Sequence, residues 1–161
     1  MSPRSLVRVL RYALLGGSIV AVALFLRRTP RYRIPDADQS LAPRFPGGTV
    51  VVGEPLDEDD PVPRGSDVVY EEKRDGVAYA RFGRVFAIPG DRVDATGGEI
   101  RVNGVATGLR GAITGEVPEG AVLVLAPNPG ETRYPDSRAE GFVARARLRA
   151  IIRSSIAMDG P

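Results

Sequence analysis

The stretch Arg81–Gly104, RFGRVFAIPGDRVDATGGEIRVNG, decides how this chain folds. It opens with an apolar run, Val85-Phe86-Ala87-Ile88, and turns at Pro89-Gly90-Asp91. Proline presets φ at the first central position of a turn, and glycine accepts positive φ at the second. Gly97-Gly98 marks another reversal before the alternating Glu99-Ile100-Arg101-Val102, which ends at Asn103-Gly104. Asn-Gly beside an alternating run is among the strongest hairpin signals. The stretch therefore predicts strand, turn, strand, turn. By itself it describes an ordinary β-meander and carries no chemistry.

Working outward, the same grammar continues on both sides. Thr49-Val50-Val51-Val52 is a short β-branched strand, and Asp67-Val68-Val69-Tyr70 opens another. Lys73-Arg74-Asp75-Gly76 reads as a polar turn, and Val77–Phe82 alternates into the opening stretch. After the Val117-Pro118-Glu119-Gly120 turn, Ala121–Ala126 is a continuous apolar strand expected to be buried on both faces. Asn128–Pro135 is loop, and Arg147–Ile152 is expected to be a closing strand. Glu54–Asp60 holds five acids in seven residues and reads as a solvated loop.

Composition agrees. The chain has 161 residues, 43% hydrophobic, with 19 glycines and 14 prolines spread along it. That suits many short strands joined by turns. Cysteine and histidine are both absent, which removes thiol nucleophiles, thiolate and imidazole metal ligands, and the commonest general base. No metal and no cofactor are expected. Of the 22 basic residues only Lys73 is a lysine, and arginine keeps its proton at any useful pH. The arginines are scattered with few aromatics among them, so no nucleic-acid partner is expected.

Tyr12–Leu26 is fifteen residues without a charge, preceded by Arg4, Arg8 and Arg11 and followed by Arg27, Arg28, Arg31 and Arg33. An unassisted membrane span wants about 20 apolar residues, but flanking arginines snorkel and lengthen a short one. Ala21-Val22-Ala23 offers a signal-peptide cleavage site, yet Leu24-Phe25-Leu26 continues the apolar run past it. An uncleaved single-pass anchor is expected. The organisation read from the sequence is a short basic N-terminus over 1–11, a transmembrane anchor over 12–28, a mostly β domain of short antiparallel strands over 29–156, and a tail over 157–161. Charge leaves orientation open, with arginines on both sides.

The order of these blocks resembles bacterial signal peptidase I over nearly the whole chain. After the anchor, Ser40-Leu41-Ala42-Pro43 and Gly48-Thr49-Val50-Val51-Val52 are similar to the family's nucleophile block and following strand. Arg64-Gly65 with Asp67-Val68-Val69-Tyr70 looks like the next block with one residue inserted. Arg84–Asp91 with Asn103-Gly104 looks like the central block, and Val117–Gly120 with Asp136-Ser137-Arg138 and Gly141 resembles the last. The resemblance implies a signal-peptidase-like β-barrel or sandwich domain on the extracytoplasmic face. It implies a serine endopeptidase that removes signal peptides from exported proteins, and contact with membrane lipid.

In that family a serine attacks once a buried neutral lysine takes its proton. Carried over residue by residue, the nucleophile falls on Ser40, although two extra residues separate it from Pro35. The lysine position falls on Gly83, which cannot accept a proton. Pro127 replaces a family aspartate and Tyr134 a supporting serine, whereas Asp136, Ser137 and Arg138 are kept as site support, Asp136 and Arg138 as an ion pair. Two substitutes for the base are conceivable. Lys73 swings in, or Asp36 or Asp38 serves, though a solvated carboxylate is too acidic to be efficient. Two readings stay open: a signal-peptidase-type endopeptidase with an unusual base, or a catalytically degenerate relative that binds signal-peptide-like segments or another membrane protein without cutting. An anchored β domain with a scaffold role is a weaker third.

Overall fold

The computed structural model describes residues 29–57, 59–128, 130 and 134–156. The expected basic N-terminus, anchor and tail lie outside these residues. Among the described residues no helix is long and apolar enough to cross a membrane. Strands dominate: β1 (Arg31–Arg33), β2 (Val50–Pro55), β3 (Asp67–Arg74), β4 (Val77–Ala87), β5 (Arg92–Thr96), β6 (Glu99–Val102), β7 (Val105–Arg110), β8 (Gly115–Glu116), β9 (Ala121–Leu125), β10 (Val143–Ala144) and β11 (Leu148–Ile156). Among the described residues a short α-helix, α1 (Ser137–Glu140), and a 3-10 turn at Arg145–Arg147 interrupt them. The domain is mostly β, as the sequence predicts.

A seven-stranded sheet runs β1-β2-β11-β3-β4-β9-β10, and a four-stranded sheet runs β7-β6-β5-β8. Every described pairing is antiparallel. Turn chemistry sets the registers. At Asp75-Gly76 both central residues have positive φ, 53° and 77°, and at Asn103-Gly104 the values are 52° and 79°. Such paired left-handed residues twist a two-residue loop the way the flanking strands twist. β3 therefore runs on through Lys73 and Arg74, and the polar turn shrinks to Asp75-Gly76.

Three apolar clusters fill the space around the sheets. Ile34, Leu41, Phe45, Val51, Val69 and Phe82 form the first, on one face of the large sheet. Val68, Tyr70, Val85, Val122, Val124 and Ile151 form the second, on the other. Leu123 and Leu125 turn instead toward Val93, Ile100, Val102 and Val117 of the smaller sheet. β9 thus meets apolar neighbours on both of its faces, which is why its sequence is continuous rather than alternating. β11 reaches four residues beyond the expected Ile152, because the backbone of Ser154–Ile156 pairs with Val50–Val52 of β2. Main-chain pairing there does not need the apolar side chains that mark a strand in sequence.

The Pro-Gly-Asp turn joins the two sheets through its aspartate. Asp91 is buried and accepts from the Ile88 amide at 2.9 Å and from Asn103 Nδ2 at 2.9 Å. Arg64 Nε donates to it at 2.6 Å, and Arg64 Nη2 makes a second contact. Burial works against the charge, but the Ile88 amide, Arg64 and Asn103 together hold the carboxyl below its ordinary value of 3.8. The sign follows from linkage. A depressed folded-state value contributes stability above the unfolded value, and that contribution is lost as pH falls through the folded value. We expect urea midpoints of wild type and Asp91→Asn to differ most at neutral pH and to converge below about pH 4. A gap that stays constant down to pH 3 contradicts this.

Candidate functional site

Ser40 lies in the loop between β1 and β2, which folds over one face of the large sheet. Leu41 and Phe45 pin it there, bridged to each other and sunk in the first apolar cluster. The Asp38 carboxylate organises the turn. Its Oδ1 accepts the Ser40 amide at 2.9 Å and also the Ser40 hydroxyl. From the sequence, Asp36 and Asp38 are both expected to be solvated. Asp36 is exposed, but Asp38 is only 1% exposed and Ser40 only 3%. The Asn128 amide donates to the Ser40 carbonyl at 3.3 Å, which brings the loop after β9 against the serine. Arg44, four residues on, ties the loop to the sheet. It donates to Asp67 Oδ2 at 2.8 Å, and Arg84 holds the same carboxylate through Nε at 2.8 Å.

Gly83 sits on β4 opposite Val68. It shares a face with Val85, which belongs to the second apolar cluster. A Cβ built there meets Val124 Cγ1 at 2.6 Å and the Leu125 carbonyl at 3.3 Å. Contacts under 3.0 Å require something to move, and valine is stiff about χ1. Val124 leans across the glycine and fills the room that a side chain needs.

Asp136, Ser137 and Arg138 brace the outer edge of β9. β10 pairs with β9 only at Ala121 and Val122. Beyond that point Ser137 Oγ accepts the Val124 amide at 3.0 Å, and Asp136 Oδ2 accepts the Ala126 amide at 2.8 Å. Two side chains thus take the place of a strand partner on alternate amides. Arg138 clamps Asp136 through Nε at 2.9 Å and Nη2 at 2.5 Å, with side chains 19% and 6% exposed. Asp136 also N-caps α1 by accepting the Arg138 amide. The sequence analysis predicts no helix here, although an aspartate at its head is a standard start signal. Tyr70 donates to the Pro135 carbonyl at 3.4 Å. Burial, reinforced by Glu140 and Asp136, raises its pKa and keeps the phenol neutral.

Lys73 is exposed near the far end of β3. It pairs with Ala78, whereas Val68 is the residue opposite Gly83. Five residues of strand separate the two levels, about 17 Å at roughly 3.3–3.4 Å per residue. That is farther than a lysine side chain spans. Its surroundings are the charged cleft of Glu71, Glu72, Glu140, Arg147 and Arg149.

A second depression borders the Ser40 loop. It is lined by Arg33 and Pro35 on one side and by Tyr79, Arg81 and Phe82 of β4 on the other. Its chemistry is basic and aromatic. Arg81 is buried, bonded through Nε to Glu72 Oε2 at 2.5 Å, and stacked on Tyr134 with its guanidinium carbon 4.4 Å from the ring centre.

The chain matches no protein-family model and no curated protein. Among solved structures it is similar to a signal peptidase I from Enterococcus faecalis, at 21% identity and a TM-score of 0.45, over 58% of this chain and 98% of that one.

Proposed function

We propose that the chain is a membrane-anchored, signal-peptidase-like protein that holds extended peptide segments beside Ser40 and does not cleave them. The observation that carries this is Gly83. It has no side chain to take a proton, and Val124 occupies the space beside it. The order of the motifs supports the family reading. The anchor over 12–28, a β domain over 29–156 on the extracytoplasmic side, contact with membrane lipid, and signal-peptide-bearing exported proteins or another membrane protein as partner belong to the same proposal.

The test is incubation of the full chain, in detergent micelles, with a preprotein carrying an Ala-x-Ala site. No processing is expected, in wild type or in Ser40→Ala. Efficient wild-type cleavage that vanishes in Ser40→Ala overturns the proposal.

One observation favours a second reading, serine hydrolysis with a carboxylate base: the Ser40 hydroxyl already donates to Asp38. The signature of that reading is slow cleavage abolished equally by Ser40→Ala and Asp38→Asn.

A further inference from the structure

Resting on the peptide-holding reading, we propose that the depression between Arg33 and β4 selects extended peptide segments that carry acidic side chains. The backbone comes first. β3 pairs with β4 along its whole length, from Arg74↔Val77 to Asp67↔Arg84. On its other side β4 meets β9 only at Arg84, Val85 and Ala87. Among the described residues, Val77–Gly83 has no strand on that side. An extended segment laid there gains main-chain hydrogen bonds, and its alternate side chains face the wall of the groove.

The wall is cationic. Arg33, Arg74 and Arg81 reach it from three different strands, and no acidic residue among the described ones lines it. The nearby carboxylates only partly balance them. Glu72 serves both Arg81 and Arg74, the latter at 3.6 Å, and Asp36 meets Arg33 at 3.5 Å. Arg81 is the fixed element. Its side chain is 10% exposed, held at Nε by Glu72 and stacked against Tyr134, with Tyr79 5.6 Å away. Its terminal Nη atoms make no hydrogen bond among the described residues. A rigid guanidinium with unused donors in a groove suits a carboxylate, which it binds in a planar and directional way. Arg33 and Arg74, 61% and 63% exposed, supply the surrounding charge.

Fluorescence anisotropy tests this on the full chain in detergent micelles. The probes are three labelled ten-residue peptides that alternate valine with aspartate, asparagine or lysine. The aspartate peptide is expected to bind about 10-fold tighter than the asparagine one, with an advantage that shrinks as salt rises. The Arg33→Gln/Arg74→Gln double variant, altered only at exposed side chains, is expected to bring the two within about two-fold while its thermal midpoint stays at the wild-type value. Equal binding of the three peptides overturns acidic selectivity and leaves the peptide-holding reading intact. Binding of none overturns both. Displacement of the aspartate peptide by micromolar inorganic phosphate or a short-chain phosphatidylglycerol identifies a small-anion or headgroup site, and overturns the peptide occupant.

Discussion

Asp136→Ala is expected to lower unfolding free energy by about 3–5 kcal/mol, the usual loss when one member of a buried ion pair is removed. The carboxylate accepts four donors: the amides of Ala126 and Arg138, and two nitrogens of the Arg138 guanidinium. Truncation strands an amide in a residue 2% exposed and leaves a guanidinium without its counter-charge. Domains of this kind are stable by only about 5–15 kcal/mol, so the variant is expected near the edge of folding. Urea unfolding followed by circular dichroism measures it. Ser137→Ala, which removes a single neutral acceptor from the Val124 amide, is the internal comparison and is expected to cost about 1–3 kcal/mol. If Asp136→Ala falls within 1 kcal/mol of wild type, the brace on β9 is not what holds that edge.

Gly83→Lys is expected to destabilise by about 3 kcal/mol or more, without conferring cleavage. Two effects add. The new Cβ collides with Val124 Cγ1, and overpacking of this kind costs roughly 1–3 kcal/mol. An ammonium directed toward Val85 and Val124 is then desolvated, or loses its proton to avoid that. Gly83→Ala isolates the first effect. Val124→Ala should relieve it, so the double variant Gly83→Ala/Val124→Ala is expected to be more stable than the sum of the single losses by about 1–2 kcal/mol. The opposite outcome is informative. If Gly83→Lys keeps the wild-type midpoint and begins to process the Ala-x-Ala preprotein, the site lacks only its base, and Val124 yields more easily than its packing suggests.

Both variants depend on β9, and β9 shows what a linear reading can reach. Its unbroken apolar run announces a strand covered on both faces, because only such a strand dispenses with alternation. Asn103-Gly104 announces its hairpin equally well, since few other residue pairs accept two left-handed conformations in succession. The order of motifs singles out Ser40, Gly83 and the Asp136–Arg138 pair, of which the last is seen as an ion pair. What lies around them is not. That Asp38 is buried follows from Leu41 and Phe45 being drawn into a cluster with Val69 and Phe82, far away in sequence. That Arg44 and Arg84 share Asp67 follows from the loop crossing the sheet. Neither fact has a local signature.

Residue identity along the chain is enough to set its strand-and-turn grammar and to leave no proton acceptor at position 83. Both are properties of single residues and their immediate neighbours. Tertiary structure alone decided that Val124 covers Gly83, that Asp38 rather than Lys73 meets Ser40, and that Arg33, Arg74 and Arg81 share one groove. Gly83 and Val124 lie 41 positions apart and Arg33 and Arg81 lie 48 apart, so those meetings are set by sheet order and register, whereas Asp38 and Ser40 share one loop whose burial brings the carboxylate in. Side-chain reach is only a few ångströms, so a base five residues along a strand from the level of Gly83 serves no better than none.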